Sequence, residues 1–307
     1  MSYSQLLLRA WWIVRRHRIL WLFGFLAGFA PPSALSQLAG SALTASPEMP
    51  QRIRELLVGP SSALLWIGTP LLLIAAFLIW GAINALGHTA LIALVNRLEE
   101  GEPPTFLTAR EAIRGYAGRI FLIHVLLRLP LLMIAGIFVL PLAIPILQAM
   151  AENRSTIPGP VVDTGLFFCC LGVLIVIPAS ILITWIEELA NRACVLDGRS
   201  TFDSIAYGWA AIQQRSGPVI ALGIRLLGIA GVAGLFTIVS LNILQGTISR
   251  SPAGPLASPF GVKGPWGVLL SFGIAEMAIN TWVMTFLSSS WTLFYRQLLM
   301  SDRNRSP

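Results

Sequence analysis

One polar segment, which we call the polar phrase, occurs twice in the sequence, as NRLEEGEPPTF at 96–106 and as NRACVLDGRSTF at 191–202. Both copies begin with Asn-Arg, pass through an acid-Gly pair and end with Thr-Phe. The chain around them has 307 residues, of which 55% are hydrophobic and 11% are charged, whereas soluble domains have about 25% charged residues. The composition predicts an integral membrane protein, and the duplicated phrase predicts a repeated architecture.

An amphipathic segment follows each copy of the phrase. Its apolar residues recur at intervals of three and four, which is typical of one face of a helix. The two series are Phe106, Ala109, Ile113, Tyr116 and Phe202, Ile205, Trp209, Ile212. Thr105 and Thr201 are the expected N-caps. Each segment ends at an arginine, Arg119 or Arg215, directly before an apolar run.

A short helix of this kind fits the membrane interface. The expected interfacial anchors are Phe106, Ile113, Phe202, Trp209, Arg119 and Arg215. Packing against the loop side of the helix bundle is the alternative. A fainter third copy, SQLLLRAWWIVRRHR at 4–18, opens the chain, and its tryptophans and arginines also suit an interface.

Six apolar runs are long enough to cross a bilayer, which takes about 20 helical residues. They cover 19 to about 42, 63–95, 120–150, 161–190, 219–248 and 266–295. The predicted fold is all-α and integral to the membrane, a single domain over 1–307. Because each amphipathic segment precedes two spans, we expect three parallel pseudo-repeats, each an interfacial helix plus a two-helix hairpin. Their bounds are about 1–97, 98–193 and 194–300.

The basic residues predict the orientation. Fourteen arginines fall on the side of both termini, and four arginines and Lys263 fall on the other. The positive-inside rule then places both termini in the cytoplasm of a bacterial inner membrane. RRHR followed by ILWLFGFLAGFA at 15–30 also resembles a cleavable signal peptide. The same order of elements recurs at Arg119 and Arg215, which favours a retained anchor.

Ionisable residues inside spans are the candidate functional residues, because burying charge in a membrane is costly. They are Arg128, Arg225, Glu187, Glu188, His88 and His124. One interpretation is a polar cluster in which the two arginines bind an anionic group such as a lipid phosphate. The other, which we favour, is structural ion pairs or arginines reaching to the interface. No metal-ligand spacing and no cofactor motif is present.

Glycines at helical spacing permit close helix contact. Gly24 and Gly28 lie in the first span, and Gly228, Gly231 and Gly234 in the fifth. They fit either a dimer seam or packing within the chain, and packing within the chain is the expectation.

The chain resembles a group of uncharacterised bacterial six-span proteins. The resemblance rests on the basic N-terminal segment that runs into RHRILWLFGFLAG, on the six spans, and on the polar phrases that precede the interfacial helices. These proteins are similar to the membrane domain fused to some glycerophosphodiester phosphodiesterases. The resemblance covers nearly the whole chain and implies a fold and a location. The catalytic barrel of that enzyme, about 250 residues, has no counterpart here, so the resemblance implies no catalytic residue.

The functional expectation is a non-enzymatic membrane scaffold or anchor. Its expected partners are the lipid bilayer, with anionic lipid as one candidate, and a partner protein or a second copy, but no nucleic acid. The alternative is a transporter or permease component that uses the Arg128, Arg225, Glu187 and Glu188 layer. No nucleophile motif, zinc-protease motif or phosphate loop is found in the sequence.

Overall fold

A computed structural model describes residues 3–28, 62–151, 159–250 and 265–303, and the statements below concern those residues. Within them the chain forms eight helices and no strand. The helices are α1 Tyr3–Arg16, α2 Ile19–Ala27, α3 Ser62–Glu99, α4 Phe106–Ala151, α5 Gly159–Leu196, α6 Thr201–Gln214, α7 Ser216–Arg250 and α8 Pro265–Arg303. The all-α prediction is confirmed. The predicted first span lies outside the described residues beyond residue 28.

Four of the described helices are long and apolar enough to cross a membrane. The qualifying stretches are Ile74–Glu99, Phe106–Pro145, Val162–Leu196 and Ser216–Ser240. Helix α8 has a comparable length but is less apolar, since it carries six buried serines and threonines between residues 281 and 292. The helices are compatible with a protein embedded in a membrane.

The core lies at the end of the bundle where α3 and α5 finish, which we call the hinge end. There α3, α5 and α8 contact one another and form an inner layer. Each outer helix, α2, α4 or α7, packs against two helices of this inner layer. Helix α2 packs on α8 and α3, α4 packs on α3 and α5, and α7 meets α8 and also the Trp185 side chain of α5 through Gly223.

Two glycines of α2 allow the closest helix contacts. A Cβ at Gly24 would lie 2.9 Å from the backbone oxygen of Thr281, and one at Gly28 would lie 2.8 Å from the Met284 Cγ. Packing within the chain is therefore confirmed for this pair. It is wrong for Gly228, Gly231 and Gly234, because no atom lies within 4 Å of their Cβ positions. Gly228 and Gly231 are exposed, and Gly234 lines an open cavity between α7 and α8.

The two polar phrases form the two hinges, at 100–105 and 197–200. Gly101 and Gly198 adopt φ values of 84° and 69°, a left-handed conformation that a residue without a Cβ adopts at little cost. In both copies, the helix before the hinge, α3 or α5, therefore ends at the acid-Gly pair.

The expected N-cap is confirmed in the first copy and wrong in the second. The Thr108 backbone N–H donates to the Thr105 hydroxyl at 3.3 Å. In the second copy Ser200 caps α6 by accepting from the Asp203 backbone N–H at 3.3 Å. Thr201 is instead the first residue of the helix and is buried.

The amphipathic segments differ in how they join the next helix. The second is a separate helix, α6, and the first continues into α4 as one helix of 46 residues. The expectation of a separate interfacial helix is therefore wrong for the first copy. Pro218 explains the difference, because it has no N–H to donate to the Gln214 carbonyl and so interrupts the helix there. Leu122, at the equivalent position of the first copy, has no such effect.

Candidate functional site

A buried carboxylate organises the ionisable residues between α4 and α5. The Glu187 side chain is 4% exposed, and Arg128 binds it through two parallel hydrogen bonds of 3.0 Å each, from Nε to Oε2 and from Nη2 to Oε1. His124 Nε2 lies 2.9 Å from Glu187 Oε1. Three predicted site residues are thus brought together, and the carboxylate bridges an arginine and a histidine.

Two further side chains extend this group toward α3. The ring of His88 meets the ring of His124 edge to face, with centroids 5.6 Å apart. The amide nitrogen of Asn191 lies 3.2 Å from His124 Nε2. His88 Nδ1 is buried and has no hydrogen-bond partner among the described residues. The group of His88, His124, Arg128, Glu187 and Asn191, which we call the histidine network, therefore joins three helices.

A second ion pair lies beside the histidine network on α5. Arg192 is fully buried, forms an ion pair with Glu188, and donates from Nη2 to the Ser288 carbonyl of α8 at 2.8 Å. An arginine that flanks a span is expected near the helix exit, whereas Arg192 lies inside α5, which continues to Leu196. Its spacing of four residues from Glu188 is the signal that could have identified the pair.

The equivalent arginine of the first phrase behaves as expected of an exit. The Arg97 side chain is 43% exposed and pairs with Glu102 in the hinge. The arginine of the polar phrase is thus partly exposed in the first copy, as Arg97, and buried in the second, as Arg192. Sequence reasoning also missed Asn191 and Ser288, because neither residue type is costly to place in a helix.

Arg225 does not join the other candidates. Its guanidinium lies over the ring of Tyr3 in α1, 4.3 Å from the ring centroid. Arg128 is bound to Glu187. Within the described residues the two arginines thus have different partners, and these contacts give no support to a single anion site built from both.

The chemistry available to the histidine network is that of hydrogen bonds and protons. Within the described ranges no group of three or more His, Cys, Asp or Glu side chains is placed to hold a metal ion. Cys169, Cys170 and Cys194 are free thiols. The carboxylates of Glu187 and Glu188 each face a guanidinium, so neither presents an isolated charge.

The predicted interfacial residues of α6 point away from the bundle. Phe202 is 70% and Trp209 46% exposed. The buried residues of α6 are mostly small, Ser204, Gly208 and Ala211 among them, but include Ile212. A Cβ at Gly208 would lie 2.7 Å from the Ile186 carbonyl oxygen. Phe202 and Trp209 therefore face outward, whereas Ile212 of the same predicted stripe packs on the core.

The remaining predicted anchors divide into two kinds. Phe106 is exposed, and Ile113 is partly buried against the core. Arg119 donates to the carbonyls of Gly198 and Arg199 at 3.3 and 3.4 Å, and Arg215 donates to the Leu298 carbonyl at 3.3 Å. The two arginines therefore hold the backbone at the hinge end.

Helix α1 repeats the arrangement of α6. Leu6, Ala10, Ile13 and Val14 are buried, mainly against α8. Leu8, Trp11 and Trp12 are exposed by 68%, 46% and 54%. The Arg16 guanidinium lies 4.7 Å from the centroid of the Trp12 ring. The outward face of α1 thus combines aromatic and cationic groups.

Comparisons of this chain with protein-family models, with curated proteins and with solved structures find no significant match.

Proposed function

We propose that this protein is a membrane scaffold that holds amphipathic helices at the cytoplasmic surface of a bacterial inner membrane, where they engage anionic lipid. The observation that carries the proposal is the orientation of α1 and α6. Both pack on the bundle through small or aliphatic residues and turn tryptophan and phenylalanine outward. Aromatic side chains with a polar edge favour the level of the lipid head groups.

Three parallel repeats support this proposal. Each outer helix, α2, α4 or α7, lies between the inner helix of its own hairpin and the inner helix of the preceding hairpin. Two amphipathic segments follow the same rule, since α6 packs on α5 and α1 packs on α8, and the start of α4 stacks Phe106 on Phe23 of α2. In the proposed arrangement, six spans form a ring with three amphipathic segments at its hinge end.

Charge supports anionic lipid as the partner. The chain carries a net charge of +7, and Arg15 and Arg16 are exposed at the end of α1 beside Trp12. A basic residue near an anionic leaflet contributes about 1 kcal/mol of attraction. Arg128 forms an ion pair with Glu187, which agrees with the favoured interpretation of a structural pair, so the proposal places lipid binding at this surface and not in the interior.

The depth of α6 tests the proposal. We would attach nitroxide labels to Phe202→Cys and Trp209→Cys in a cysteine-free protein reconstituted in vesicles, with Asp203→Cys as the matched control on the polar face. We expect the first two labels to collide preferentially with oxygen, which partitions into lipid, and the control with a water-soluble nickel complex. Water-exposed labels at both aromatic positions would show that α6 is not at the interface.

The lipid partner needs a separate measurement. Native mass spectrometry would count phosphatidylglycerol molecules bound to the wild type and to Arg15→Gln/Arg16→Gln, with Arg52→Gln/Arg54→Gln as a control of equal charge on the predicted opposite side. We expect the α1 variant to lose bound anionic lipid and the control to retain it. Equal lipid counts in all three proteins would remove the lipid part of the proposal.

A transporter component is the second candidate, and the buried histidine network is the observation that favours it, since chains of ionisable groups inside membranes mark ion pathways. Transport requires water to reach this layer from one side. Thiol labelling of Leu127→Cys, next to Arg128, should then be fast from that side. An unreactive thiol in intact membranes would leave the scaffold as the only candidate.

A further inference from the structure

We propose that the cleft between α7 and α8 binds one acyl chain of a phospholipid whose head group carries an ammonium, namely phosphatidylethanolamine. The cleft is open on one side and has a volume of about 380 Å³. This volume lies near the lower end of the range for small-molecule sites, which suits one chain rather than a whole lipid. The inference requires a protein embedded in a bilayer, but it does not require the interfacial role of α1 and α6.

The lining of the cleft is largely apolar. Ala230, Ala233 and Gly234 belong to the α7 wall, and no atom lies within 4 Å of the Cβ position of Gly234. The α8 wall includes the aliphatic side chains of Met284 and Leu287. The small residues of α7 therefore provide the room, and the longer side chains of α8 provide an apolar contact surface.

Glu276 gives the cleft a charged end. Among the described residues that line the cleft it is the one with a formal charge. At a rise of about 1.5 Å per residue, it lies about 30 Å along α8 from Arg296, which donates to the Asn96 carbonyl at the hinge end. The hydrocarbon core of a bilayer is also about 30 Å thick. If Arg296 marks one interface, Glu276 therefore lies at the head groups of the opposite leaflet.

The cleft has the length of one leaflet. From Glu276 to Leu287 the α8 wall extends about 16 Å, and half of the hydrocarbon core is about 15 Å thick. A lipid with its head group beside Glu276 can therefore lay one acyl chain along the cleft as far as the bilayer centre. The cleft ends there, as expected for a lipid site within one leaflet.

Charge complementarity selects the head group. An ammonium that donates to a carboxylate forms a charge-assisted hydrogen bond, which is stronger than a neutral one. Phosphatidylglycerol has no cation to offer Glu276, and its negative charge is unfavourable beside a carboxylate. A second copy of the chain is disfavoured for a related reason. A two-fold interface uses the same surface of both subunits, so it would bring two Glu276 carboxylates toward each other.

Native mass spectrometry tests the head group, with protein released from vesicles of phosphatidylethanolamine and phosphatidylglycerol in equal amounts. Glu276→Gln should lower the affinity for phosphatidylethanolamine about tenfold, because a charged hydrogen bond is lost, and should not lower the count of phosphatidylglycerol. Asp163→Asn is the matched control, since it removes the same charge from an exposed residue near the same end of α5. Equal retention of phosphatidylethanolamine by the two variants would overturn the proposal. The count of phosphatidylglycerol tests the α1 surface separately.

A pair of glycine variants tests the cleft itself. Gly234→Leu places a side chain in the cleft and should abolish the retention of phosphatidylethanolamine. Gly228→Leu adds the same side chain at an exposed residue of α7 outside the lining and should leave retention unchanged. Equal retention by both variants would contradict the proposal, and so would a wild-type dimer that Gly234→Leu dissociates, because a second copy would then fill the cleft.

A crosslinking measurement on the wild type decides the matter if a variant does not fold. The probe is phosphatidylethanolamine with a photoreactive group on its acyl chain, and the control is the same chain on phosphatidylglycerol. Crosslinks to Met284 or Leu287 from the ethanolamine lipid alone are the expected result. The absence of such crosslinks, or equal crosslinking by both lipids, would overturn the proposal.

Discussion

The contact between α2 and α3 leads to a sharp prediction about Gly87. A Cβ at this residue would lie 2.7 Å from the Ala27 Cα and from the Leu26 carbonyl carbon, and closer still to the Ala27 nitrogen. Ordinary contacts of a Cβ begin at 3.4 Å. Because the opposing atoms are backbone, no rotation of a side chain relieves the overlap. The substitution Gly87→Ala must therefore move one helix away from the other.

The expected magnitude is the difference between two terms. Overpacking a buried site costs about 1–3 kcal/mol, and backbone neighbours place Gly87→Ala at the upper end of that range. Alanine is intrinsically more favourable than glycine in a helix by about 1 kcal/mol. The free energy of unfolding should therefore fall by about 1–2 kcal/mol.

Gly231→Ala is the matched control, since it makes the same substitution in a helix where no atom lies within 4 Å of the Cβ position. It should raise the free energy of unfolding by about 0.5–1 kcal/mol. Unfolding in mixed micelles, followed by circular dichroism, measures both. Adding Ala27→Gly to Gly87→Ala should restore nothing, because the overlapping atoms belong to the backbone. A Gly87→Ala protein as stable as Gly231→Ala would refute the close approach of α2 and α3.

Three further predictions concern the two polar phrases. Arg192→Ala leaves the half-buried Glu188 carboxylate, whose side chain is 15% exposed, without its guanidinium partner. It should destabilise the protein by about 3 kcal/mol, the lower end of the range for a buried pair, whereas Arg97→Ala, at an exposed pair, should cost about 0–1 kcal/mol; equal losses in chemical unfolding would contradict the burial of Arg192. Ser200→Ala removes the cap of α6 and should lower the free energy of unfolding by about 1 kcal/mol, and hydrogen exchange of the first turn of α6 should accelerate. Gly198→Ala forces a side chain into a left-handed conformation and should cost about 1–2 kcal/mol, measured in the same unfolding assay.

The hinges show what local sequence can predict. An acid-Gly pair after an apolar run predicts a helix end with a left-handed glycine, and both glycines adopt that conformation. The cap of α6 was misassigned because Ser200 and Thr201 are neighbours with interchangeable hydroxyls. Only the path of the chain between Gly198 and Asp203 decides which of them precedes the helix.

The interior was less predictable, because burial depends on which helices meet. Arg128, Glu187, His88 and His124 were identified by the cost of placing charge within an apolar run. Arg192 was not, since an arginine after an apolar run ordinarily flanks the membrane, as its counterpart Arg97 does with a side chain 43% exposed. Its depth follows from contact with Ser288 on α8, about 96 residues away.

The glycines of the fifth predicted span show a related limit. Their spacing permits close helix contact, but spacing alone does not place a neighbour. In α2 the glycines meet α8, whereas in α7 Gly228 and Gly231 meet nothing in the described structure. The difference depends on the position of each helix in the bundle, which the sequence around the glycines does not specify.

The contact of α2 with α8 also sets an order in time. Asn280 donates to the Gly28 carbonyl across 252 residues of chain, and ribosomes add about 5–20 residues per second. Helix α8 is therefore synthesised about 13–50 s after α2. During that interval the glycine face of α2 is open to chaperones, proteases and other nascent chains. The synthesis of α8 closes this contact and covers the glycine face of α2.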